Sequence, residues 1–243
     1  MRACVCLPTY NERENLERML RALGDVLGPD DRVLVIDDSS PDGSGEIAES
    51  LKEELSFVEV LHRAQKEGLG RAYIAGFGWA LEHGAELVLE VDCDFSHNPA
   101  DVPRLIEAAA GADLVLGSRY VPGGGTRNWS RVRRLISTGG SFYARTLLHI
   151  PIRDVTGGFK CYRRKVLETI EPETISARGY AFQIETTYRT LRAGFRVVEI
   201  PIVFCEREAG GSKMGKRIVL EALWKVPALK LGRWRPVAGY RRG

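Results

Sequence analysis

Leu87-Val88-Leu89-Glu90-Val91-Asp92-Cys93-Asp94-Phe95-Ser96-His97-Asn98-Pro99 is the stretch from which the rest of the chain can be read. Leu87–Val91 is an apolar, β-branched run of the kind that forms a buried strand. It ends in two carboxylates, Asp92 and Asp94, one residue apart, and Asn98-Pro99 then opens a helix, since proline is pre-shaped for the first helical position. Carboxylates at the C-terminal edge of a parallel strand face the crevice where open α/β sheets bind ligands. Two such oxygens suit a hard divalent cation, Mg²⁺ or Mn²⁺, able in turn to grip a diphosphate.

Similar units repeat on both sides. Strands are expected at Ala3–Leu7, Arg32–Ile36, Phe57–Leu61 and Leu114–Leu116, with helical spacing between them at Leu16, Met19, Leu20 and Leu23, at Ile47, Leu51 and Leu55, and at Ala72, Ala75 and Trp79. Asn11 and Glu14 have the spacing of a capping box ahead of the first helix. Asp37, Asp38 and Asp42 sit in turn chemistry after the second strand. Strand–helix alternation of this kind predicts an α/β chain with a mostly parallel sheet covered on both faces. The edge of that sheet gathers Glu12, Asp38, Asp92 and Asp94 into one cleft.

Beyond Gly123-Gly124-Gly125 the pattern changes to a helix around Ser137–Leu148, a loop from Asp154 entering a strand near Tyr162, a helix over Tyr180–Leu191 and an extended segment over Phe195–Phe204. Glu185 has two readings, facing the cleft or closing an internal ion pair. The uninterrupted apolar runs are strand-sized, so no membrane-spanning helix is expected, and the first residues reach Pro8-Thr9-Tyr10-Asn11-Glu12 too soon for a signal peptide. Five cysteines without Cys-x-x-Cys spacing, Cys4 and Cys6 on one strand face, point to packing residues in a reducing, cytoplasmic setting.

From Leu114 to Arg153 there is no carboxylate, while Arg119, Arg127, Arg131, Arg133, Arg134, Arg145 and Arg153 all fall there. Such a span indicates an anionic ligand, an anionic membrane surface or nucleic acid. No Gly-x-Gly-x-x-Gly follows the first strand, and there is no Walker loop, His-Glu-x-x-His or Gly-x-Ser-x-Gly. A cation and arginines, rather than a glycine loop, would hold phosphates here.

Several stretches, in order, carry a family resemblance: Leu7-Pro8-Thr9-Tyr10-Asn11-Glu12, Ile36-Asp37-Asp38-Ser39-Ser40-Pro41-Asp42-Gly43, Gly68-Leu69-Gly70, Asp92-Cys93-Asp94-Phe95-Ser96-His97, Gly117-Ser118-Arg119-Tyr120, Thr156-Gly157-Gly158-Phe159, Gly179-Tyr180-Ala181-Phe182-Gln183-Ile184-Glu185 and Glu206-Arg207 with Gly210-Gly211-Ser212-Lys213. Together they resemble the dolichol-phosphate (polyprenol-phosphate) mannosyltransferases of glycosyltransferase family 2. The resemblance implies a GT-A fold over residues 1–215, with 216–243 a basic amphipathic tail suited to a membrane surface.

It also implies inverting transfer of mannose from GDP-mannose to a polyprenyl or dolichyl phosphate. By position, Pro8, Tyr10, Glu12, Ile36 and Asp38 would surround the nucleotide. Asp92, Cys93 and Asp94 would meet ribose, metal and diphosphate, Ser96 standing at the third metal-proximal position. Arg119, Arg207 and Lys213 match donor-contacting residues; Arg119, Arg133 and Ser137 match the acceptor-phosphate site. Asp94, Arg119, Arg133 and Ser137 form the implied catalytic set. Cys93, where relatives carry alanine, introduces a thiol open to oxidation. His97 is read as shaping the helix entry.

The implied location is the cytoplasmic face of a membrane, peripherally, alone or with a membrane-anchoring partner protein. Rival readings are another donor, such as UDP-glucose, or a non-catalytic nucleotide-sugar or RNA-binding module. Nucleic acid is not expected, because an acidic cleft edge repels a phosphate backbone and no RNP-like aromatic motif occurs.

Overall fold

The computed structural model describes residues 2–177, 179–206, 216–232 and 234, and the side chains among these except those of 216–223. In chain order the elements are β1 (Ala3–Thr9), α1 (Leu16–Gly24), β2 (Arg32–Asp37), α2 (Ser44–Glu54), β3 (Val58–His62), α3 (Leu69–Glu82), β4 (Leu87–Glu90), α4 (Val102–Ala108), β5 (Leu114–Ser118), β6 (Gly125–Arg127), α5 (Arg131–Leu148), β7 (Lys160–Arg163), α6 (Arg164–Ile170), α7 (Gly179–Arg192), β8 (Val197–Pro201), β9 (Val203–Cys205) and α8 (Lys216–Leu231). Seven strands form one sheet in the order β3-β2-β1-β4-β7-β5-β8, and β6 pairs with β9 in a small ribbon.

The first four strands are parallel, as the alternation predicts, and β5 pairs parallel with β8. β7 is inserted antiparallel between β4 and β5. Its short, mixed sequence Lys-Cys-Tyr-Arg carries no period that announces a central strand.

Strand alternation splits the core into two layers. Cys4, Cys6, Leu34, Ile36 and Val88 point to one face, against Tyr73 and Phe77 of α3, Ala144 of α5, Phe182 of α7 and Val226 of α8. Ala3, Val5, Leu7, Val33, Val35, Leu87 and Leu89 point to the other, under Leu16, Met19, Leu20 and Leu23 of α1 and Val102 and Leu105 of α4. α3 lies so close to the sheet that a Cβ on Gly76 would come within 2.5 Å of Ile36 Cδ1. Any larger residue there would have to push the Ile36 and Cys6 side chains aside. All five cysteines are free, four of them buried, as packing residues are.

Two local expectations are corrected. No capping box forms at Asn11 and Glu14: Asn11 takes a left-handed φ of 56°, and α1 begins later, after Asn15, whose side chain donates to Glu12 Oε2 at 2.9 Å. The helix opened by Asn98-Pro99 begins as a 3₁₀ turn, Pro99–Asp101, capped by the Asn98 side chain, before α4 takes over. Glu185 closes an internal ion pair with Arg189 at 2.6 Å on α7, buried. Where the 216–243 segment is described, α8 lies against α5 and α7, and its Val226 is fully buried.

Candidate active site

At the C-terminal ends of β1, β2 and β4 lies a cleft of about 520 Å³, within the usual range for a small-molecule site. Pro8, Tyr10, Glu12, Asp38, Asp92, Cys93, Asp94, Ser96, Arg119 and Arg133 all line it. Pro8 and Arg119, 111 positions apart, therefore meet because strand ends converge, and α5 brings Arg133 to the same cleft. Arg207 and Lys213 lie outside the described residues.

Two of the implied residues do not reach the cleft through their side chains. Ile36 is fully buried in the core beneath α3, so any part it has in donor binding belongs to its backbone. Ser137 is not in the lining; its Oγ accepts a 2.7 Å hydrogen bond from Tyr120 O–H.

The carboxylate pair is held from several directions. Asp92 Oδ1 accepts from Tyr73 O–H at 3.2 Å, and the Asp92 backbone N–H donates to His97 Nδ1 at 3.2 Å. His97 is buried and stacks on Phe159 at 4.7 Å. Burial lowers its pKa, against the pull of Asp92 and Asp94, so the ring is neutral with its proton on Nε2. Its task is to set the Asp92 turn. Asp94 Oδ1 accepts from Ser96 N–H at 3.0 Å, and between them Phe95 has a left-handed φ of 57°, beneath the Arg18 guanidinium. A non-glycine residue in that region costs free energy and clusters at functional sites. The Cys93 thiol is buried, and burial pushes its pKa well up, which disfavours the thiolate form on which oxidation depends.

At one end of the cleft, Asp38 is paired with Arg63 at 2.6 Å, and burial still pushes its carboxyl pKa up, outweighing Arg63. Lys66 Nζ stands 3.6 Å over the Tyr10 ring. On the other side, Arg119 is almost fully buried, its Nε and Nη2 on the two oxygens of Asp154 at 2.7 and 2.6 Å, and Nη2 also on Thr156 Oγ1 at 3.0 Å. Among the described residues its Nη1 has no hydrogen bond. Arg133 Nη1 donates to Glu206 at 2.7 Å, and its guanidinium lies 4.4 Å over the Trp129 ring.

Five buried side-chain polar atoms lack a hydrogen-bond partner among the described residues, and four belong to residues lining this cleft: Ser96 Oγ, Trp129 Nε1, Arg133 Nε and Gln183 Oε1. Unpaired buried polar groups are rare and costly, about 1–3 kcal/mol each. Their concentration here marks a polar ligand site. Asp92, Asp94 and Ser96 all line the cleft, and the two carboxylates and the unpaired Ser96 hydroxyl are oxygen donors of the kind Mg²⁺ or Mn²⁺ takes. Among the described residues no cluster of three His, Cys, Asp or Glu side chains closes a cage. Two carboxylates with the remaining positions left to phosphate oxygens and water is the usual provision for Mg²⁺.

The sequence reading missed Trp129, Lys66 and Asp154, and gave Gln183 no role. Asp154 had a signal: it is the first carboxylate after the acid-free span, and it neutralises one of that span's arginines. Of the seven arginines in the span, only Arg119 and Arg133 line the cleft.

Beneath the cleft, Glu90 and Lys160 are cross-strand neighbours, both fully buried. Burial pushes the Glu90 carboxyl up to about 7 and the Lys160 ammonium down to about 8, each opposed by the charge of the other.

Residues 4–171 match glycosyl transferase family 2. The chain is 48% identical over 235 residues to the undecaprenyl-phosphate mannosyltransferase of Micrococcus luteus, covering 96% of both chains. It is 47% identical to the polyprenol monophosphomannose synthase of Mycolicibacterium smegmatis, covering 93% of this chain and 85% of that one. In three dimensions it is similar to glucosyl-3-phosphoglycerate synthase from Mycobacterium tuberculosis, solved with Mg²⁺ and UDP. The TM-score is 0.68 at 18% identity, covering 94% of this chain and 79% of that one. The same enzyme solved with Mn²⁺, UDP and phosphoglyceric acid gives 0.67 at 20% identity, with 93% and 78% covered. At those identities the likeness establishes the fold, and the sequence match establishes the family: the chain belongs to glycosyltransferase family 2 and is built on the GT-A fold.

Proposed function

We propose that this chain transfers mannose from GDP-mannose to the phosphate of a polyprenyl or dolichyl monophosphate, giving β-mannosyl phosphopolyprenol and GDP. The names of two relatives, matched over nearly their whole lengths, support the sugar and the lipid phosphate. The observation that carries the reading is the cleft itself, in which paired carboxylates face two arginines and four unpaired buried polar atoms.

Asp92, Asp94 and Ser96 are the residues that would hold a divalent cation, which when bound supplies positive charge against the donor diphosphate. Pro8, Tyr10, Glu12 and Asp38 form the wall for the nucleotide. Arg133 and Nη1 of Arg119 receive the acceptor phosphate, with Trp129 Nε1 a further donor beside them. Arg207 and Lys213 are proposed for the donor phosphates on the family resemblance. A phosphate monoester has its second pKa near about 6, so the acceptor oxygen is already an anion at neutral pH and needs no base. His97, buried, neutral and committed to the Asp92 turn, is not placed as one. Attack from the side opposite the leaving GDP inverts the anomeric centre. The work of the site is positioning and charge neutralisation.

The lipid stays in a bilayer, so the protein must work at its surface. Among the described residues no helix is long and apolar enough to cross a membrane. Val132, Leu135, Ile136 and Phe142 form an exposed apolar stripe on α5, beside the exposed Arg131 and Arg134 and on the same helix as Arg133. Trp224 and Leu231 are exposed on α8. An apolar stripe with a basic rim fits an anionic bilayer surface, and we place this protein peripherally on the cytoplasmic face, with residues 216–243 contributing to that contact. A steady-state transfer assay tests the activity, with GDP-mannose and UDP-glucose as donors and a polyprenyl phosphate in anionic vesicles as acceptor. Mannosyl transfer is expected; glucosyl transfer in its place, or binding without transfer, overturns the reading.

A further inference from the structure

Gln183 is fastened at both ends by buried charged groups. Lys160 Nζ donates to its backbone oxygen at 2.8 Å, and its own Nε2 donates to Glu90 Oε2 at 2.5 Å. Glu90 is completely buried, and its other oxygen accepts from Tyr162 O–H at 3.0 Å. In the structure the amide turns its NH₂ towards Glu90, which accepts from it and from Tyr162. The opposite atom, Oε1, is therefore fixed as an acceptor. It is buried, lacks a partner among the described residues, and belongs to a residue lining the cleft.

The missing partner must be a hydrogen-bond donor, which ionised phosphates are not. The order of the sheet says which part of a nucleotide sugar lies there. Glu12 and Asp38 follow β1 and β2, Asp92 and Asp94 follow β4, and Gln183 stands over β4 and β7, the next strand along. A ligand with its base at β1–β2 and its diphosphate at β4 brings its sugar to Gln183.

We infer that Gln183 Oε1 accepts a hydrogen bond from a hydroxyl of the donor's sugar, and that Glu90 is the positioning residue that aims it. This rests on the nucleotide-sugar reading above and adds a specificity device to it. A site built to bond a hydroxyl discriminates against sugars that lack it or direct it elsewhere, because the buried oxygen is then left unpaired.

The test compares dissociation constants of GDP-mannose and GDP, by calorimetry with Mg²⁺ present, for the wild type, Gln183→Met and Glu90→Gln. Gln183→Met is expected to weaken GDP-mannose about tenfold and GDP less than about twofold, the scale of one hydrogen bond. Glu90→Gln keeps the volume but frees the Gln183 amide to turn over, and is expected to show the same split at about threefold. Among GDP-mannose analogues deoxygenated at single positions, one should lose about tenfold on the wild type and nothing further on Gln183→Met. Equal weakening of GDP and GDP-mannose, or deoxy-analogue ratios identical in wild type and variant, overturns the inference. If the wild type binds a different nucleotide sugar, the GDP-mannose assignment fails separately. The same ratio, taken against that sugar's own nucleoside diphosphate, then decides the role of Gln183.

Discussion

Replacing Asp154 by alanine would strip the Arg119 guanidinium of its counter-charge in a place water hardly reaches. Asp154 is fully buried and Arg119 only 7% exposed. Three Arg119 donors converge on the carboxylate: the backbone N–H at 2.9 Å, Nε at 2.7 Å and Nη2 at 2.6 Å. Removing one partner of a buried ion pair costs about 3–5 kcal/mol, because the other charge is left uncompensated. For a domain of this size that corresponds to a fall in melting temperature of roughly 10 °C. Asp154→Asn keeps the shape and one acceptor, and should lose about half as much. The Arg119→Met/Asp154→Leu double variant removes both charges and should be more stable than Asp154→Ala alone. Thermal and urea unfolding followed by circular dichroism measures all three. If Asp154→Ala loses less than about 1 kcal/mol, or the double variant is no more stable than Asp154→Ala, Arg119 is not clamped as described.

Two further expectations follow from the same geometry. His97 has its pKa lowered by burial, so the unfolded chain binds more protons than the folded one below the ordinary value of 6.5. Its contribution to stability is present above that pH and is lost as pH falls through it. The melting temperature of His97→Gln should therefore decline less between pH 7 and pH 5 than that of the wild type, and parallel declines would refute the assignment. On the surface, Leu135→Ser with Phe142→Ser should reduce co-flotation with anionic liposomes several-fold while leaving calorimetric binding of GDP-mannose unchanged; undiminished flotation would remove α5 from the membrane contact.

How far the sequence led depends on the kind of signal each feature carries. Parallel strands and their helices announce themselves by apolar runs and helical spacing, so β1 to β5 fall within a residue or two of where they were expected. The strand expected near Tyr162 is β7, but its antiparallel place between β4 and β5 was not legible, since its four residues include a fully buried lysine that reads as surface. The acidic residues of the cleft were legible because strand ends are where a parallel sheet binds. Which side of a strand a residue faces decided Ile36, whose parity with Leu34 sends it to the core rather than the cleft. Partners brought together only by tertiary structure were not legible. Asp154 is 35 residues from Arg119, and Gln183 is 93 from Glu90. Both pairs decide what the site residues can offer a ligand.

Mannosyl transfer is proposed to take place where Asp92 and Asp94 meet the arginines. The direct test follows labelled mannose from GDP-mannose into a polyprenyl phosphate, using the wild type and Asp94→Asn side by side, each with Mg²⁺ and with a chelator. Asp94→Asn retains an acceptor for the Ser96 N–H and so should unfold near the wild-type temperature, while its transfer rate falls at least about a hundredfold. The chelator should abolish wild-type transfer. A variant that transfers mannose at close to the wild-type rate, or a wild type indifferent to chelation, would contradict the account.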